Sequence, residues 1–417
     1  MNHCEGVSVT PLPWCYAFRG DDAGEKGHHV AGTGGLAIEQ FGLGDPRIHE
    51  FACLPWRLYR GDPCWTPPLM MDLLGNKLLG AKGLLTAEHP YHREAEVTHF
   101  LAKRDGRTVG RVAASVNRRF NEHYGSKIGF FGFFECEDDR EIACALLDAA
   151  AAWLKQRGMT AMRGPGEYSN ATHERQGVLV EGFEFTPTVE LTHNPPYYGP
   201  LLESCGVSKV MDYVAYMIEF DDVPAERIAR LAAAVRKRAN IKTRAADMSR
   251  FREEVGLIVK LYNEAWSANW GFLPLTDEDA DAIAETLKPI VDPGLVRFAY
   301  IDGEPVAVFG AIPDPNWALR PLWKWYGDGD LVRLVRVLLM RRHIPRVRLM
   351  FFGIRPQWRR LGVDAVLFQE LYEYAKPRGY RQGEPSLLLE DNEMVIRPSA
   401  AMGGHEYKRW RIYEREL

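Results

Sequence analysis

The sequence lacks several features that would place it outside the cytoplasm. It has seven cysteines, an odd number, and no two of them stand at C-x-x-C spacing. We therefore expect free thiols in a reducing compartment and no structural metal site. No apolar run approaches the roughly 20 residues that cross a bilayer, and residues 1–36 contain no apolar run of the signal-peptide kind. These absences predict a cytoplasmic protein that uses no metal.

The charge balance also excludes a broad class of partners. The net charge is −4 and the isoelectric point is about 6.3, so the chain lacks the overall basic surface that is typical of nucleic-acid-binding proteins. Attraction to anions must therefore be local. At 417 residues the chain is longer than a single typical core supports, which predicts two domains.

Short patterns occur twice along the chain. An Asp-Gly pair stands between two β-prone apolar runs at Asp105-Gly106 and again at Asp302-Gly303. Such pairs predict tight β-hairpins, because the turn needs positive φ angles. The run Phe130-Phe131-Gly132 recurs as Phe351-Phe352-Gly353. In each case the apolar run precedes an amphipathic pattern typical of a helix.

The spacing of these patterns predicts a duplicated fold. The predicted helices end at Gly158 and Gly379, each 26 residues after the glycine of its Phe-Phe-Gly run (158 − 132 and 379 − 353). The hairpins are offset by 197 residues and the Phe-Phe-Gly runs by 221, so the second copy should contain an insertion between them.

These offsets divide the chain into three parts. We expect a flexible N-terminal extension over residues 1–36, a first copy over residues 37–220 and a second copy over residues 221–417. The insertion of the second copy should include a basic segment near residues 328–346.

The turn after the second Phe-Phe-Gly run has the composition of an anion site. Residues 355–364 form a basic stretch with one glycine between a predicted strand and a predicted helix. Backbone N–H groups at a helix start have no intrahelical partner, and the helix dipole favours negative charge there. The equivalent residues 135–140 of the first copy are acidic and contain no glycine. Only the second copy should therefore bind a diphosphate.

This turn resembles motif A of the GNAT acetyltransferase superfamily, in which an apolar strand and a proline precede Arg/Gln-x-x-Gly-x-Gly/Ala. Arg359 and Gly362 match that pattern, whereas Asp364 stands where glycine or alanine is usual. The resemblance implies two tandem GNAT folds, each an α+β fold with a mixed sheet, and acyl-CoA as the donor. The residues expected at the donor are Gly353, Ile354, Arg359, Arg360, Leu361, Gly362, Val363 and Asp364, with backbone N–H groups near the first two polarising the thioester.

A longer resemblance covers the chain from about residue 40 to its end. It joins the sequence to a family of bacterial tandem GNAT proteins, some of which resemble bacterial ceramide synthases. The matching stretches are residues 61–68, 129–135, 194–198, 263–272 and 403–413. The resemblance implies an N-acyltransferase that transfers a fatty acyl group from acyl-CoA to a lipid amine such as a sphingoid base.

Acyl transfer to an amine needs a base for the amine proton and donors for the oxyanion. Glu390, followed by Asn392, is the first candidate for the base. Glu135 ends a very apolar run, where burial raises a carboxyl pKa, and is the second candidate. The tyrosine that GNAT proteins often use as an acid is missing from residues 398–401, and either Tyr407 or His405 replaces it in this interpretation.

Aromatic residues near position 270 predict either a lipid-binding wall or ordinary core packing. Asn194 and Tyr197 are weaker acceptor-side candidates from the first copy. The substrate-binding residues expected on this basis are Trp266, Asn269, Trp270, Phe272, Asn194 and Tyr197.

The insertion combines arginines with apolar residues. This pattern predicts a basic amphipathic helix that either lies on an anionic membrane or packs with a solvated basic face. The arginines are Arg333, Arg336, Arg341, Arg342, Arg346 and Arg348.

Three functions remain open at this point. The chain is an acyltransferase for a lipid amine, an acyltransferase for a small polar amine, amino acid or peptide, or a non-catalytic acyl-CoA-binding protein. An acyl carrier protein remains an alternative donor to CoA. The expected location is the cytoplasm, with or without peripheral attachment to the inner membrane.

Overall fold

A computed structural model describes residues 35–169, 175–288, 290–320 and 329–417. Its strands are β1 (Ala37–Phe41), β2 (Ala95–Arg104), β3 (Arg107–Asn117), β4 (Ile128–Cys136), β5 (Ala161–Gly166), β6 (Val178–Glu181), β7 (Ser208–Glu219), β8 (Ile241–Ala245), β9 (Val296–Ile301), β10 (Glu304–Pro313), β11 (Arg346–Ile354), β12 (Gln382–Pro385), β13 (Leu388–Leu389) and β14 (His405–Glu416). Its helices are α1 (Arg47–Leu58), α2 (Met70–Leu74), α3 (Arg118–Tyr124), α4 (Arg140–Gln156), α5 (Tyr198–Ser204), α6 (Ala225–Arg238), α7 (Phe251–Trp266), α8 (Asp277–Leu287), α9 (Asn316–Leu319), α10 (Asp330–Met340), α11 (Val363–Ala375) and α12 (Glu393–Ala401).

Both predicted hairpins are present. β2 pairs with β3, and β9 pairs with β10, each in antiparallel register. Asp105 and Gly106 have φ angles of 53° and 76°, and Asp302 and Gly303 have φ angles of 51° and 87°. Two successive positive φ angles are what a tight hairpin turn requires, so the Asp-Gly prediction is confirmed at both positions.

The strands follow one path in the order β1-β2-β3-β4-β5-β14-β7-β12-β11-β10-β9-β8. β14, the last strand of the second copy, lies between β5 and β7, while β7, the last long strand of the first copy, pairs with β12. The two copies therefore exchange their last strands. Each closing strand pairs with strands of the other copy.

Each copy has one long helix after its central strand. α4 follows β4 and buries Leu146 and Leu154, and α11 follows β11 and buries Val366 and Leu371. α9 and α10 stand between β10 and β11, where the first copy has only the short α3. The predicted division of the chain at residue 220 stays a prediction.

The cysteines depart from expectation. Cys144 of α4 and Cys205, directly after α5, form a disulfide with an S–S distance of 2.08 Å. The expectation that all thiols are free is wrong for this pair, because α4 packs against α5 and brings together residues 61 positions apart. Cys53, Cys64 and Cys136 form no disulfide within the described residues.

No described helix combines the length and the apolar character needed to span a bilayer. The described part of the chain also holds no group of three or more His, Cys, Asp or Glu placed to bind a metal ion.

Candidate active site

The strands β11 and β12 part in the middle of the second copy. They pair in parallel from Arg346 and Gln382 to Leu349 and Pro385, and the register ends there. β11 continues to Ile354, but the chain after β12 turns to pair with β7. A gap therefore opens beside the C-terminal half of β11.

The peptide groups of β11 alternate between β10 and this gap. The N–H of Arg355 donates to the carbonyl of Val306 at 3.0 Å, and Gly353 is paired with Val308 in the same register. Since successive peptide groups of a strand face opposite sides, the N–H of Gly353 faces β10. The N–H groups of Phe352 and Ile354 face the gap. Of the two residues expected to polarise the thioester, Ile354 therefore has its N–H group toward the gap, and Gly353 has its N–H group toward β10.

A pocket lies directly against this gap, and we call it the second-copy pocket. Its floor comes from β11 and from the chain around β13, and its wall comes from the C-terminal end of α7. The lining residues are Gln176, Tyr213, Tyr262, Trp266, Asn269, Trp270, Gly271, Phe272, Arg348, Met350, Ser386, Leu387, Leu388, Leu389 and Asn392. It thus contains Trp266, Asn269, Trp270, Phe272 and Asn392 of the predicted site.

The aromatic side chains of this pocket pack on one another. The rings of Tyr262 and Trp266 are 4.7 Å apart, and those of Tyr262 and Phe272 are 5.6 Å apart. The indole N–H of Trp266 donates to the carbonyl of Phe352 at 2.9 Å. This hydrogen bond fixes the aromatic wall against the edge of the gap.

The predicted phosphate turn connects β11 to α11. Pro356–Leu361 form a 3-10 helix, and Gly362 follows with a φ of 79°. A Cβ atom at Gly362 would stand 2.8 Å from a methyl group of Val235 on α6, so both backbone angle and packing favour glycine. Gly362 is the N-cap residue of α11, and it has no side chain that could accept hydrogen bonds from the first N–H groups of the helix.

Three side chains of this turn have different surroundings. Arg359 donates to the carbonyl of Ile354 at 3.2 Å and to that of Ala265, so it ties the turn to β11 and α7. Arg360 is exposed. Burial raises the pKa of Asp364, while hydrogen bonds from the backbone N–H of Ala365 and from its own N–H act in the opposite direction. The Asp364 carboxyl therefore lies beside the N–H groups that would meet a diphosphate.

In the equivalent turn of the first copy, a carboxylate of the turn itself accepts hydrogen bonds from the start of the helix. Asp139 caps α4 by accepting hydrogen bonds from the N–H groups of Glu141 at 2.8 Å and Ile142 at 3.4 Å. Arg104 pairs with Asp139 at 2.7 Å. No free helix start is left there for an anionic ligand.

Sequence comparison relates the chain to two curated proteins. No protein-family model matches it. The bacterial ceramide synthase of Caulobacter vibrioides (strain NA1000 / CB15N) is 32% identical over 380 residues, which cover 89% of this chain and 95% of that protein. Protein YghO of Escherichia coli (strain K12) is 30% identical over 374 residues, which cover 89% and 93%. The chain belongs to the family of the bacterial ceramide synthase.

Solved structures agree on the fold. A tandem GNAT protein from the clavulanic acid biosynthesis pathway matches with a TM-score of 0.50 and 13% identity, covering 92% of this chain and 98% of that one. A GCN5-related N-acetyltransferase from Sphaerobacter thermophilus matches with a TM-score of 0.50 and 15% identity, covering 91% and 95%. The predicted GNAT fold is confirmed, and the protein is an N-acyltransferase.

The first candidate for the base of this N-acyltransferase lies outside the pocket. Glu390 pairs with Lys209 at 2.9 Å and with Arg409 at 3.3 Å, and it accepts from the N–H of Asp212 at 3.2 Å. It does not line the second-copy pocket. Its carboxylate is held by two cations and a backbone N–H away from the pocket, so its position does not favour a role as the base.

The predicted acid Tyr407 is committed to a buried carboxylate. Its hydroxyl donates to Glu384 at 2.6 Å, and Glu384 also accepts from Thr188 at 2.8 Å. Tyr407 does not line the second-copy pocket. His405 is exposed at the start of β14. Neither position favours proton delivery to a thiolate.

Glu135 lies in a second pocket, beside the end of β4, which we call the first-copy pocket. It accepts hydrogen bonds from the hydroxyls of Tyr59 at 2.9 Å and Tyr198 at 2.7 Å, and it stands 3.6 Å from the guanidinium of Arg111. Burial raises its pKa, against the opposing effects of Arg111 and the two tyrosines. The predicted pKa direction is confirmed, but the three partners already occupy the carboxylate.

The remaining predicted residues divide between pocket and core. Asn194 lines the first-copy pocket and holds the backbone of Leu179. Tyr197 donates to the carbonyl of Cys136 at 2.7 Å and does not line the pocket.

Sequence reasoning did not single out His193, which lines the first-copy pocket, or its partner Asp62. His193 lies 2.8 Å from the carboxylate of Asp62, although the two are 131 positions apart. Both stand within or beside stretches that carry the family resemblance, and that was the only signal available. A lone histidine and a lone aspartate at such a separation form no recognisable motif.

Proposed function

We propose that this N-acyltransferase transfers a fatty acyl group from acyl-CoA to the amine of a lipid-like acceptor such as a sphingoid base. The observation that carries the proposal is the aromatic and aliphatic lining of the second-copy pocket beside the gap between β11 and β12. A long acyl chain gains about 0.8 kcal/mol for each methylene that leaves water for such a lining. A short acyl group or a polar amine would contact only a small part of this apolar lining.

The donor would lie across the gap. The thioester carbonyl would accept hydrogen bonds from the N–H groups of Phe352 and Ile354, which stabilise the oxyanion that forms during attack. The diphosphate would meet the start of α11, with Arg360 exposed beside it. This placement rests on the glycine N-cap of α11, which has no counterpart in α4 because Asp139 caps that helix.

The name of the Caulobacter relative supports a lipid amine as the acceptor. A ceramide is an N-acylated sphingoid base, and that relative is 32% identical over most of this chain. The amine acceptor of this chain is therefore proposed to be a long-chain base.

The insertion supports a membrane location, but not in the way its sequence suggested. We expected the arginines of α10 to face outward. Instead Arg333 is buried and donates to the carbonyls of Leu319 at 3.1 Å, Pro68 at 3.0 Å and Pro67. Arg336 donates to the carbonyls of Ala318 and Arg320. Both guanidinium groups hold the helix to the protein.

The outward face of α10 is apolar. Five of its side chains expose between 46% and 75% of their surface. They are Leu331, Val332, Val335, Leu338 and Leu339. Exposed Arg341 and Arg342 follow at once. An apolar helix face beside exposed cations fits the surface of an anionic membrane, where each cation contributes about 1 kcal/mol.

Chain-length dependence tests the acyl proposal. Purified protein is incubated with acyl-CoA of increasing length and with either a long-chain base or small polar amines, and thiol release is measured. We expect each added methylene to tighten acyl-CoA binding about fourfold until the pocket is full. Phe272→Ala should weaken this dependence, whereas Phe185→Ala, at an exposed phenylalanine outside the pocket, should not. Turnover restricted to acetyl-CoA and polar amines would contradict the proposal.

Vesicle flotation tests the membrane proposal. Wild-type protein should float with phosphatidylglycerol vesicles and less with phosphatidylcholine vesicles. Leu331→Asp with Leu339→Asp should remove flotation, because each aspartate places a charge in the membrane surface. Leu231→Asp, at an exposed leucine of α6, is the matched control. The proposal fails if the double variant floats as well as wild type.

A further inference from the structure

The second-copy pocket contains a buried polar atom that the protein itself does not satisfy. Within the described part of the chain, the side-chain amide oxygen of Gln176 is buried and has no hydrogen-bond partner. Only 4% of Gln176 is exposed, and the residue lines the pocket beside the gap between β11 and β12. Buried polar groups are nearly always hydrogen-bonded in native proteins, so this oxygen indicates a ligand that donates a hydrogen bond.

The backbone around Gln176 is fixed by hydrogen bonds and by close packing. The N–H of Gly177 donates to the carbonyl of Pro165 at 2.9 Å, and the hydroxyl of Thr192 donates to the carbonyl of Gln176 at 3.3 Å. Gly177 has a φ of 75°, and a Cβ atom there would stand 2.9 Å from the Cβ of Trp410 on β14. Backbone angle and packing both favour glycine at this position. The segment therefore lies directly against β14 and places Gln176 at the pocket.

The one charged side chain among the described residues of this lining already has partners. Arg348 donates through Nε to the hydroxyl of Ser386 at 3.1 Å and through a second nitrogen to the carbonyl of Val189. Glu190 stands 3.6 Å from that second nitrogen, which pairs the two charges. No carboxylate is among the residues that line the pocket. Burying an ammonium ion without a carboxylate is costly, so the pocket favours a neutral amine, the form that attacks a thioester.

The same pocket opens onto the place proposed for the thioester. Trp266 is part of the lining, and its indole N–H donates to the carbonyl of Phe352 at 2.9 Å. Met350 also lines the pocket and stands two residues before Phe352 on β11. A ligand that contacts Gln176 therefore lies in the cavity beside the gap, on the thioester side of the segment at residues 175–177.

We propose that Gln176 binds the amine of the acceptor, so that the first copy supplies an acceptor contact to the site of the second copy. The inference rests on the proposed function, whose thioester lies at the N–H groups of Phe352 and Ile354. The amide oxygen accepts a hydrogen bond from an amine N–H, which leaves the nitrogen lone pair for the thioester carbon. The C–N bond forms, the C–S bond breaks, and the proton that the amine loses ends on the thiol.

This hydrogen bond contributes most while the C–N bond forms. The nitrogen becomes positively charged at that stage, and a hydrogen bond from a charged donor is stronger than one from a neutral donor. An interaction that is stronger in the transition state than in the bound substrate raises kcat. Gln176 therefore orients the amine before attack and stabilises the charge that develops during it.

Gln176→Leu separates a ligand contact from a structural role. Leucine fills similar space but accepts no hydrogen bond, and removing an unsatisfied buried oxygen does not destabilise the free protein. We expect kcat/KM for the amine to fall about 10- to 100-fold, while acyl-CoA affinity stays unchanged and Tm is no lower than in wild type. A residue that only supports the fold would lower Tm instead, and that result would overturn the inference. Gln156→Leu, at an exposed glutamine that ends α4, is the matched control and should behave as wild type.

Gln176→Glu tests which end of the amide contacts the ligand. A carboxylate only accepts hydrogen bonds, and it would hold the amine as an ammonium ion, which has no lone pair for the thioester. KM for the amine should stay at or below the wild-type value, and kcat should fall about tenfold. A loss of amine binding as large as in Gln176→Leu would overturn the assignment of the oxygen as the acceptor.

Two acceptors separate this inference from the proposed function. Initial rates compare a long-chain base with a small polar amine, each at saturating acyl-CoA, in wild type and in Gln176→Leu. If only the small amine reacts and the variant still has a raised KM for it, the proposed acceptor fails and the Gln176 contact stands. If the variant keeps the KM and kcat of wild type on the amine that reacts, the Gln176 contact is overturned.

Discussion

The two copies differ most at the start of their long helices. α4 begins at a cap, where Asp139 accepts hydrogen bonds from two backbone N–H groups and pairs with Arg104. α11 begins at Gly362, which has no side chain and a left-handed backbone. Every helix leaves its first N–H groups without intrahelical partners. In the first copy the carboxylate of the N-cap residue itself accepts from two of them; in the second copy the N-cap is a glycine, and the carboxyl of Asp364 inside the helix accepts from the N–H groups of Asp364 and Ala365.

This difference shows how a duplicated fold acquires unequal roles. The strand, the turn and the helix occupy the same places in both copies, so the backbone alone does not distinguish them. The distinction lies in a capping carboxylate at one turn and a glycine at the other. The predictions below transfer that carboxylate, neutralise other carboxylates of the two copies or remove the cap, in order of decreasing expected effect.

Gly362→Asp transfers the cap of the first copy to the second. The new carboxylate would compete for the N–H groups of α11 and would repel a diphosphate, and like charges at such contacts cost several kcal/mol. We expect acyl-CoA affinity to fall more than 100-fold, as measured by calorimetry.

Gly362→Ala is the matched control for that change. It introduces the same Cβ, with the same approach to Val235 and the same unfavourable positive φ, but it adds no charge. Both variants should lose similar thermal stability, and only Gly362→Asp should lose acyl-CoA binding. Equal loss of binding in the two variants would mean that the backbone conformation of the turn, and not the added negative charge, decides acyl-CoA affinity.

The two carboxylates first considered as bases should respond differently to neutralisation. Glu390→Gln should keep turnover within about twofold, because Glu390 belongs to a partly exposed ion cluster and such pairs contribute about 0–1 kcal/mol. Glu135→Gln should destabilise the protein by about 3 kcal/mol, because it leaves buried Arg111 without its carboxylate. Thiol release and thermal unfolding measure the two effects. A large loss of turnover in Glu390→Gln would restore that residue as a candidate base.

Asp364→Ala should strengthen donor binding. Alanine is usual at this place in motif A, and the Asp364 carboxyl lies beside the first N–H groups of α11. We expect acyl-CoA to bind about threefold to tenfold more tightly, a gain of about 0.7–1.4 kcal/mol. Glu370→Ala, further along the same helix, removes one negative charge at a distance from the turn and controls for net charge. Unchanged affinity in Asp364→Ala would place the diphosphate away from the helix start.

Sequence signals that are local predicted the local structure. The Asp-Gly pairs correctly predicted both hairpin turns, and the Pro-containing basic turn predicted where α11 begins. The exchange of β7 and β14 was not predictable, because both are 12-residue strands with two tyrosines each and either copy offers an edge for pairing. The environment of Arg333 was also predicted wrongly, because arginines that alternate with apolar residues normally lie on a solvated helix face. It is buried because three backbone carbonyls accept its hydrogen bonds.

The candidate site was predicted in part for the same reason. Trp266, Trp270 and Phe272 are close in sequence, so one aromatic stretch marked a whole wall of the second-copy pocket. Asp62 and His193 lie on distant segments that only the folded first copy brings together. Their contact depends on the packing of α1 and the chain before α5, which no spacing rule encodes.

Asp139→Ala makes the smallest change and tests the other side of the comparison. It removes the cap of α4, which should cost about 1 kcal/mol, without altering acyl-CoA affinity. Hydrogen exchange at the amides of Glu141 and Ile142 measures the loss directly.

The hydrogen bond from Arg104 is the largest cause of the lowered pKa of Asp139. A carboxylate with a lowered pKa stabilises the folded state above its unfolded pKa of about 3.9 and loses that effect as the pH falls further. The difference between wild type and Asp139→Ala should therefore be complete at neutral pH and shrink below about pH 4. If Asp139→Ala instead gained acyl-CoA binding at α4, the first copy would have kept a donor site that its own carboxylate keeps closed.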